Sequence, residues 1–494
     1  MRTSTALIGL PSLIFIIAGA TPLACSSSNG GATTSDAGSD AGTDTGTDVS
    51  TTDGGTDSAP TCDKHLPSGF TNVIAPPAAD PNPDTYGVDV AFALDEHDDP
   101  MFAYYSGFST TVLEFTRWDP CAGAFTPVID VDSAVGSGAV ADVSHGGRDI
   151  GIAYDLTTHE IGIVYLRVLL NSNGTPLNIA AMLASKKATD AKFTIQQVST
   201  GEDTTGGGLV SYPAIAMGGG MIYLAYAEGS YRCYRNPATM SSCDGEWLLT
   251  SSSTPPDGGA PGDGGTPEHY FDPVIVPYQG APAQPLGLNF ANAVAIDSSG
   301  RVGVAFYQND FMNSSNLQMM YWRSDTASAV VVTDSAGNGQ GNYGPDLTLL
   351  FEGTKPRIGG EFVAAAALGS YNLTFEASDD GVTWAAPVHL PLDNGSTPGS
   401  LSSLAMDGAG NGAIVAPSGN SAASCLPQVA STTNDGTSWT LCTPNVGHKF
   451  NSAAYTNALY GAARIKGKLI LSFVNEDGTN PPTQPAGVYY YQAP

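Results

Sequence analysis

Carboxylates recur at one point of a repeated pattern. Asp155, Glu228, Asp310, Glu476 and Asp477 each closely follow an apolar run that ends in a small residue and an aromatic. Two facing carboxylates can hydrolyse a glycosidic bond, one as acid and the other as base or nucleophile. Several that converge repel anions, raise one another's pKa, and suit Ca²⁺ or an amine-bearing ligand better. Nothing in the spacing selects a catalytic pair, and the plainer alternative is a set of solvated loop carboxylates. The cluster "DEHDDP" (95–100) has a structural reading, because it occupies the same hairpin turn as Asp297 and the residues after it.

Other chemistries lack their residues. No G-x-S-x-G elbow, H-E-x-x-H helix or C-x-x-C pair occurs, and the seven histidines are scattered, which removes serine-hydrolase, zinc-hydrolase and thiol-redox signatures. "GGAPGDGG" (258–265) has no strand before it and no helix after it, so it is not a phosphate cradle. The balance is acidic, 47 carboxylates against 18 Lys+Arg for a net charge of −29. Phosphate backbones need clustered cations, so nucleic acid is excluded as a partner.

These residues must be positioned by a repeat that begins near residue 84. An apolar strand, a Gly/Asp turn and a second strand recur as "VDVAFALDEHDDPMFAYYSG" (88–107), "VADVSHGGRDIGIAYDL" (140–156), "YPAIAMGGGMIYLAYAEG" (212–229) and "NAVAIDSSGRVGVAFYQND" (292–310). Weaker copies start at residues 356, 403 and 459. Most are followed by a second strand pair, as in "TVLEFTRWDPCAGAFTPVIDV" (111–131). Four antiparallel strands per unit, repeated about seven times (six to eight) along the chain, make an all-β fold, a β-propeller. "GFTNVIAP" (69–76) resembles the outermost strand "AFTPVIDV" (124–131) but lacks inner strands before it, while the last unit ends at "GVYYYQAP". The N-terminal strand is therefore expected to complete the last blade and remove the open sheet edges.

In such a ring the residues opening the innermost strands, Tyr86, Tyr212, Asn289 and Arg357, should meet a central funnel. Asp155, Glu228 and Asp310 should stand on its rim. Residues 64–494 are assigned to the propeller, with a disordered loop near 252–272.

Two short strings carry a resemblance. In "ASDDGVTW" (377–384), Asp379, Gly381, Thr383 and Trp384, and in "TTNDGTSW" (432–439), Thr432, Asn434, Gly436, Ser438 and Trp439, are similar to the Asp-box, or bacterial neuraminidase repeat, of the sialidase superfamily. Ala377 replaces the usual Ser/Thr, and Asn434 stands in for Asp. The resemblance implies peripheral hairpins between the third and fourth strands, with a structural role. It also implies that a sialidase would need three arginines on the substrate carboxylate, a tyrosine–glutamate nucleophile pair and an aspartate acid. No Phe/Tyr-Arg-Ile-Pro string occurs, and of ten arginines only Arg357 is left near the axis. A non-enzymatic propeller that binds a glycan, a peptide or surface protein, or a cation is thus the leading expectation. A glycoside hydrolase with a rearranged site is the alternative.

The N-terminal region sets the compartment. Arg2, the apolar "ALIGLPSLIFIIAGA" and "TPLACSSSNGG" read as a signal peptide over 1–24. "PLAC" is similar to a bacterial lipobox, which implies lipidated Cys25, membrane attachment through that anchor alone, and an outer-membrane lipoprotein of the cell envelope. Cleavage after "AGA" and simple secretion is the alternative. Residues 25–63, rich in Ser, Thr, Asp and Gly, read as a flexible acidic linker. Six further cysteines suit disulfides in an exported chain, and proximity favours Cys233–Cys243 and Cys425–Cys442, leaving Cys62–Cys121. No metal ligand set is identified, Ca²⁺ is the one cofactor considered, and a monomer is expected.

Overall fold

A computed structural model describes residues 64, 66, 69–74, 90–106, 111–136, 150–170, 176–199, 208–230, 245–253, 270–275, 292–309, 317–334, 347–362, 372–390, 403–416, 428–441, 460–465, 468–475 and 487–492. The chain divides into a unit Met1–Ala59 and a unit Pro60–Pro494, and all described residues belong to the second. The signal segment, Cys25 and the linker up to Asp63 lie outside them.

The described residues form strands and turns. After β1 (Gly69–Ile74), blade 1 comprises β2 (Val90–Leu94), β3 (Pro100–Ser106), β4 (Thr111–Asp119), β5 (Ala124–Phe125) and β6 (Ile129–Gly136). Blade 2 is β7 (Ile150–Asp155), β8 (Glu160–Leu170), β9 (Pro176–Lys187) and β10 (Thr194–Gln197). Blade 3 is β11 (Gly208–Gly218), β12 (Met221–Ser230), β13 (Gly245–Ser253) and β14 (Tyr270–Ile275). Blade 4 is β15 (Asn292–Ile296), β16 (Val302–Asn309), β17 (Leu317–Arg323) and β18 (Val330–Asp334). Blade 5 is β19 (Leu347–Glu352), β20 (Lys355–Phe362), β21 (Asn372–Ala377) and β22 (Val388–Leu390). Blade 6 is β23 (Ser403–Met406), β24 (Gly412–Ala416), β25 (Gln428–Thr432) and β26 (Thr440–Leu441). Blade 7 uses β27 (Tyr460–Ile465), β28 (Lys468–Asn475) and β29 (Gly487–Gln492).

Seven antiparallel sheets result, and the seventh has the order β1-β29-β28-β27. The N-terminal strand thus completes the last blade, with Gly69 opposite Gln492 and Thr71 opposite Tyr490. First strands of successive blades touch in sequence, β2 to β7, β11, β15, β19, β23 and β27, and β27 returns to β2. The architecture is a closed seven-bladed propeller.

The core lies in the seams. Every residue of β3 is buried, whereas β2 is only half-buried along most of its length, because a second strand is covered on both faces while a first strand lines the axis. One seam packs Val164 and Leu183 of blade 2 on Ile222 and Leu224 of blade 3. The next packs Ala225 on Val304, Phe306 and Trp322 of blade 4. Met319 and Tyr321 of blade 4 then meet Leu349 and Ile358 of blade 5, and Phe375 of blade 5 meets Leu404 and Ile414 of blade 6. Apolar burial at roughly 25 cal/mol per Å² is therefore the main force holding blade to blade.

Two expectations about boundaries need correction. In blade 2 the first hairpin turns at 156–159, not at the Gly-Gly of 146–147, so β7 is the first strand and Arg167 lies in the second. In blade 5 the first strand is β19, and Arg357 belongs to the second. A strand–turn–strand string does not reveal which pair of a blade it forms. The ends of the expected 252–272 loop also belong to strands, β13 continuing to Ser253 and β14 starting at Tyr270.

Candidate functional site

The topology separates two faces. On one, here the turn face, first and second strands join through short turns at 95–99, 156–159, 219–220, 297–301, 353–354 and 407–411. On the opposite connection face, second strands pass to third strands and each blade passes to the next. The strand ends on that face are separated in sequence by 276–291, 335–346, 391–402 and 442–459, which lie outside the described residues. Of the expected funnel residues, Tyr86, Asn289 and Asp310 lie outside the described residues. Tyr212 sits at an irregularity of β11 between Ser211 and Ala214. Glu228 lies near the connection-face end of β12, opposite Val210 and Glu246.

Asp155 and Arg357 do not belong to that face. Asp155 ends β7 at the turn face, where its Oδ1 accepts the N–H groups of Thr157 (2.7 Å) and Thr158 (3.3 Å). Its Oδ2 accepts the N–H of Gly220 in the next blade (2.6 Å). Three other blades repeat the device. Asp95 accepts from His97 and Asp99, Asp297 from Ser299 and Arg301, and Asp407 from Ala409 and Asn411, all at 2.8–3.0 Å. These are Asx turns, in which a short carboxylate satisfies N–H groups that a tight turn leaves unpaired. The expected equivalence of "DEHDDP" with the turn at Asp297 holds in this geometry.

Arg357 is 1% exposed and joins blade 5 to blade 6. Its Nη2 and Nε donate to Asp435 Oδ2 (2.8 Å) and Oδ1 (3.1 Å), Nε also donates to Glu352 (3.1 Å), and Nη1 donates to the Ser378 carbonyl (2.7 Å). A guanidinium so used is unavailable to a ligand. Other arginines are committed similarly: Arg167 pairs with Asp132, Arg301 with Asp297 and Asp325, and Arg323 with Asp325.

Both hairpins that end in tryptophan, 378–384 and 432–439, join third to fourth strands on the turn face. In 432–439 the side chains act as their sequence positions suggest. Thr432 Oγ1 accepts the Gly436 N–H (3.2 Å), and Asn434 Oδ1 accepts the Ser438 N–H (3.0 Å). In 378–384 the work falls one residue later than expected. Ser378 Oγ accepts the Gly381 N–H (2.8 Å), and Asp380 Oδ1 accepts from Val382 (2.8 Å) and Thr383 (2.7 Å). Those backbone bonds hold the Asp380 pKa at about 2. Asp379, assigned to this role from the sequence, instead points outward with 79% exposure and pairs with Lys355 at 3.0 Å. The hairpin is one residue shorter than its counterpart, so spacing counted back from Trp384 selects the wrong aspartate.

Among the described residues, solvent-open titratable groups converge where blades 1 and 2 meet on the turn face. The Tyr154 hydroxyl donates to Glu96 Oε2 and lies 3.0 Å from His159 Nδ1, which is 3.3 Å from Glu96 Oε1. Burial opposes ionisation of Glu96, but the Tyr154 bond and the imidazoles of His159 and His97 outweigh it and lower its pKa. Burial, then the bond to Glu96, pushes the Tyr154 pKa far above the ordinary phenol value, while nearby Arg117 opposes that rise. Tyr154 is therefore a neutral proton donor beside an ionised carboxylate, and becomes a nucleophile only if Glu96 takes its proton. No local string contains this set, since Glu96 and Tyr154 are 58 residues apart.

Cys121 is disulfide-bonded. Cys62 and the other four cysteines of the expected pairs, Cys233, Cys243, Cys425 and Cys442, lie outside the described residues. Lys64, two residues after Cys62, donates its N–H to the Pro120 carbonyl (3.1 Å) and accepts from Trp118 Nε1 (2.7 Å). Among the described residues no group of three His, Cys, Asp or Glu could hold a metal ion.

No family model matches the chain, and no curated protein does. Solved structures with a similar course of chain include the polysaccharide lyase Uly1, at 12% identity and TM-score 0.48, covering 85% of this chain and 91% of that one. An α-L-arabinofuranosidase from Fusarium graminearum in complex with an iminosugar inhibitor follows at 11% identity and TM-score 0.44, covering 86% and 97%. Trypanosoma rangeli sialidase with the inhibitor DANA is similar at 13% identity and TM-score 0.42, covering 69% of this chain and 54% of that one. The chain thus spans about half the length of that sialidase.

Proposed function

We propose that the protein is an exported propeller of the Asp-box type that binds a glycan on its connection face, without a requirement for catalysis. The observation that supports this is the asymmetry of connection length. First-to-second turns on the turn face are short, as at 219–220 and 353–354, whereas the opposite face carries segments such as 276–291 and 442–459. Long connections on a rigid scaffold are where binding residues concentrate. Residues 254–269, between β13 and β14, are a long connection on the turn face.

The chemistry of those segments suits a sugar. They carry Tyr231, Tyr234, Tyr278, Phe290, Phe311 and Tyr455, whose flat apolar faces can stack on pyranose C–H groups. With a net charge of −29 and Arg167, Arg301, Arg323 and Arg357 committed to internal carboxylates, a neutral or amino-bearing glycan is favoured over a carboxylated one. A lipid anchor at Cys25 would attach the protein to an envelope surface.

A glycan array probed with the full mature chain tests the reading. Retention of neutral or amino sugars, lost when aromatic residues of 231–235 and 276–291 are replaced, supports it; no retention of any glycan refutes it. The second reading, hydrolysis of a glycosidic bond, is favoured by the solvent-open Tyr154–Glu96 pair. Turnover of an aryl glycoside that disappears in Tyr154→Phe would establish it instead.

A further inference from the structure

Blade 5 carries an acid on each of its two packed faces. Glu376 on β21 is paired with Ile358, whose side chain packs with Leu349 against Met319 and Tyr321 of blade 4. It is 0% exposed, and neither carboxyl oxygen has a hydrogen-bond partner. An ionised carboxylate there would lose its hydration with nothing in return. Tyr321 is the titratable group of blade 4 on that seam, and its hydroxyl is likewise without a partner. Asp297, Arg301, Arg323 and Asp325, toward the turn end, bond one another.

On the opposite face, Glu352 ends β19 with its side chain 10% exposed. One N–H of Arg357 is shared between Glu352 Oε2 and Asp435 Oδ1, both at 3.1 Å, which brings the two carboxyl groups together across the seam. Glu352 Oε1 is buried without a hydrogen-bond partner. Two carboxyl groups that share one N–H at this range disfavour ionising together, so one of them is favoured in its protonated form. Lys355 and Asp379 lie at the outer edge of this cluster, paired with each other. Asp380 and Asp407 are occupied by the N–H groups of their own turns, and the turn of Asp297 and Arg301 touches through the Ser298 N–H to Gly353 carbonyl bond.

We propose that blade 5 is the pH-sensitive blade of the ring, held at both seams by a carboxyl group that must keep its proton: Glu376 against blade 4 and Glu352 against blade 6. Loss of those protons to solvent places a bare charge in the first seam and two adjacent carboxylates in the second. Burial pushes the Glu376 pKa up to about 8, and burial together with Asp435 raises that of Glu352. Both acids are raised in the folded state. Their contribution is therefore complete below the ordinary glutamate range and is lost as pH rises from about 4.5 through the raised values.

Hydrogen exchange of the full chain, mapped by peptide from pH 5 to 9 and corrected for intrinsic rate, tests the proposal. Protection of β19–β22 and of the facing strands β17 and β25 should fall by about tenfold or more between pH 6 and 9, while β7–β9 of blade 2 hold theirs. The Glu352→Gln/Glu376→Gln chain should show a flat profile in blade 5. Loss spread evenly over the blades, or confined to another blade, would overturn the proposal. So would an unchanged pH response in the double variant. Should that variant not fold, the wild-type map alone decides.

Discussion

Trp384 of blade 5 meets Tyr321 of blade 4 edge-to-face, with ring centroids 5.1 Å apart, and Trp439 of blade 6 repeats the contact on Phe375 of blade 5 at 5.2 Å. Each tryptophan hairpin is thus a peg that one blade drives into the third strand of the blade before it. The ring therefore sits in the joint between two blades. The glycine of each hairpin shows how tight that joint is. A Cβ on Gly436 would lie 2.0 Å from the Phe375 ring, and on Gly381 2.7 Å from Arg323 Nη1.

Gly436→Ala should be among the costly single-methyl changes in this protein. It combines a left-handed backbone (φ 75°) with a clash, together about 2–4 kcal/mol. Thermal unfolding would read this as a lowered Tm, and Phe375→Leu in the same chain should restore part of it.

The one-residue shift in the 378–384 hairpin separates two adjacent aspartates. Asp380→Ala should lower the Tm measurably, and Asp379→Ala should leave it within error. The Asp380 pKa is depressed to about 2, so its contribution is present above the ordinary aspartate range and is lost as pH falls from about 4 toward 2. A wild-type minus Asp380→Ala difference in Tm that shrinks over this acid range checks the sign.

Arg357→Ala should cost about 3 kcal/mol, because it empties a buried site and leaves the Asp435 carboxylate and the Ser378 carbonyl without their donor. Arg117→Ala, at an exposed position, should change stability by less than about 0.5 kcal/mol. Urea unfolding of the two variants distinguishes a structural arginine from a surface one.

Peptide mapping under non-reducing conditions should recover Cys121 joined to Cys62. Cys121→Ser should then destabilise by about 2–4 kcal/mol. Recovery of Cys121 with any other cysteine would replace this pairing.

The propeller was legible because second strands, buried on both faces, leave apolar runs such as "PMFAYYS", and because Asp95, Asp297 and Asp407 mark equivalent turns. The register within a blade was less legible. Asp155 and Arg357 each sit next to a tight turn, and either pair of strands in a blade can supply one. That ambiguity moved both residues from the turn face to the opposite rim. The Tyr154–Glu96–His159 group had no signature at all, since it exists only where two blades abut. Glu376 was equally silent: nothing in "NLTFEA" tells which alternate side chains enter a seam.

The pairing of β1 with β29 also has a consequence for how the molecule is made. Six blades are assembled from neighbouring sequence and can gather as the chain is delivered, but the seventh joins the two ends of the propeller. Its closure pays the largest loop entropy in the molecule and must wait until β29 has been made. Until then the partner edge of β29 and the seam between β27 and β2 have no cover. Deleting β29 would leave β1 without its partner as well, so loss of that strand should behave as a folding defect at both ends of the propeller.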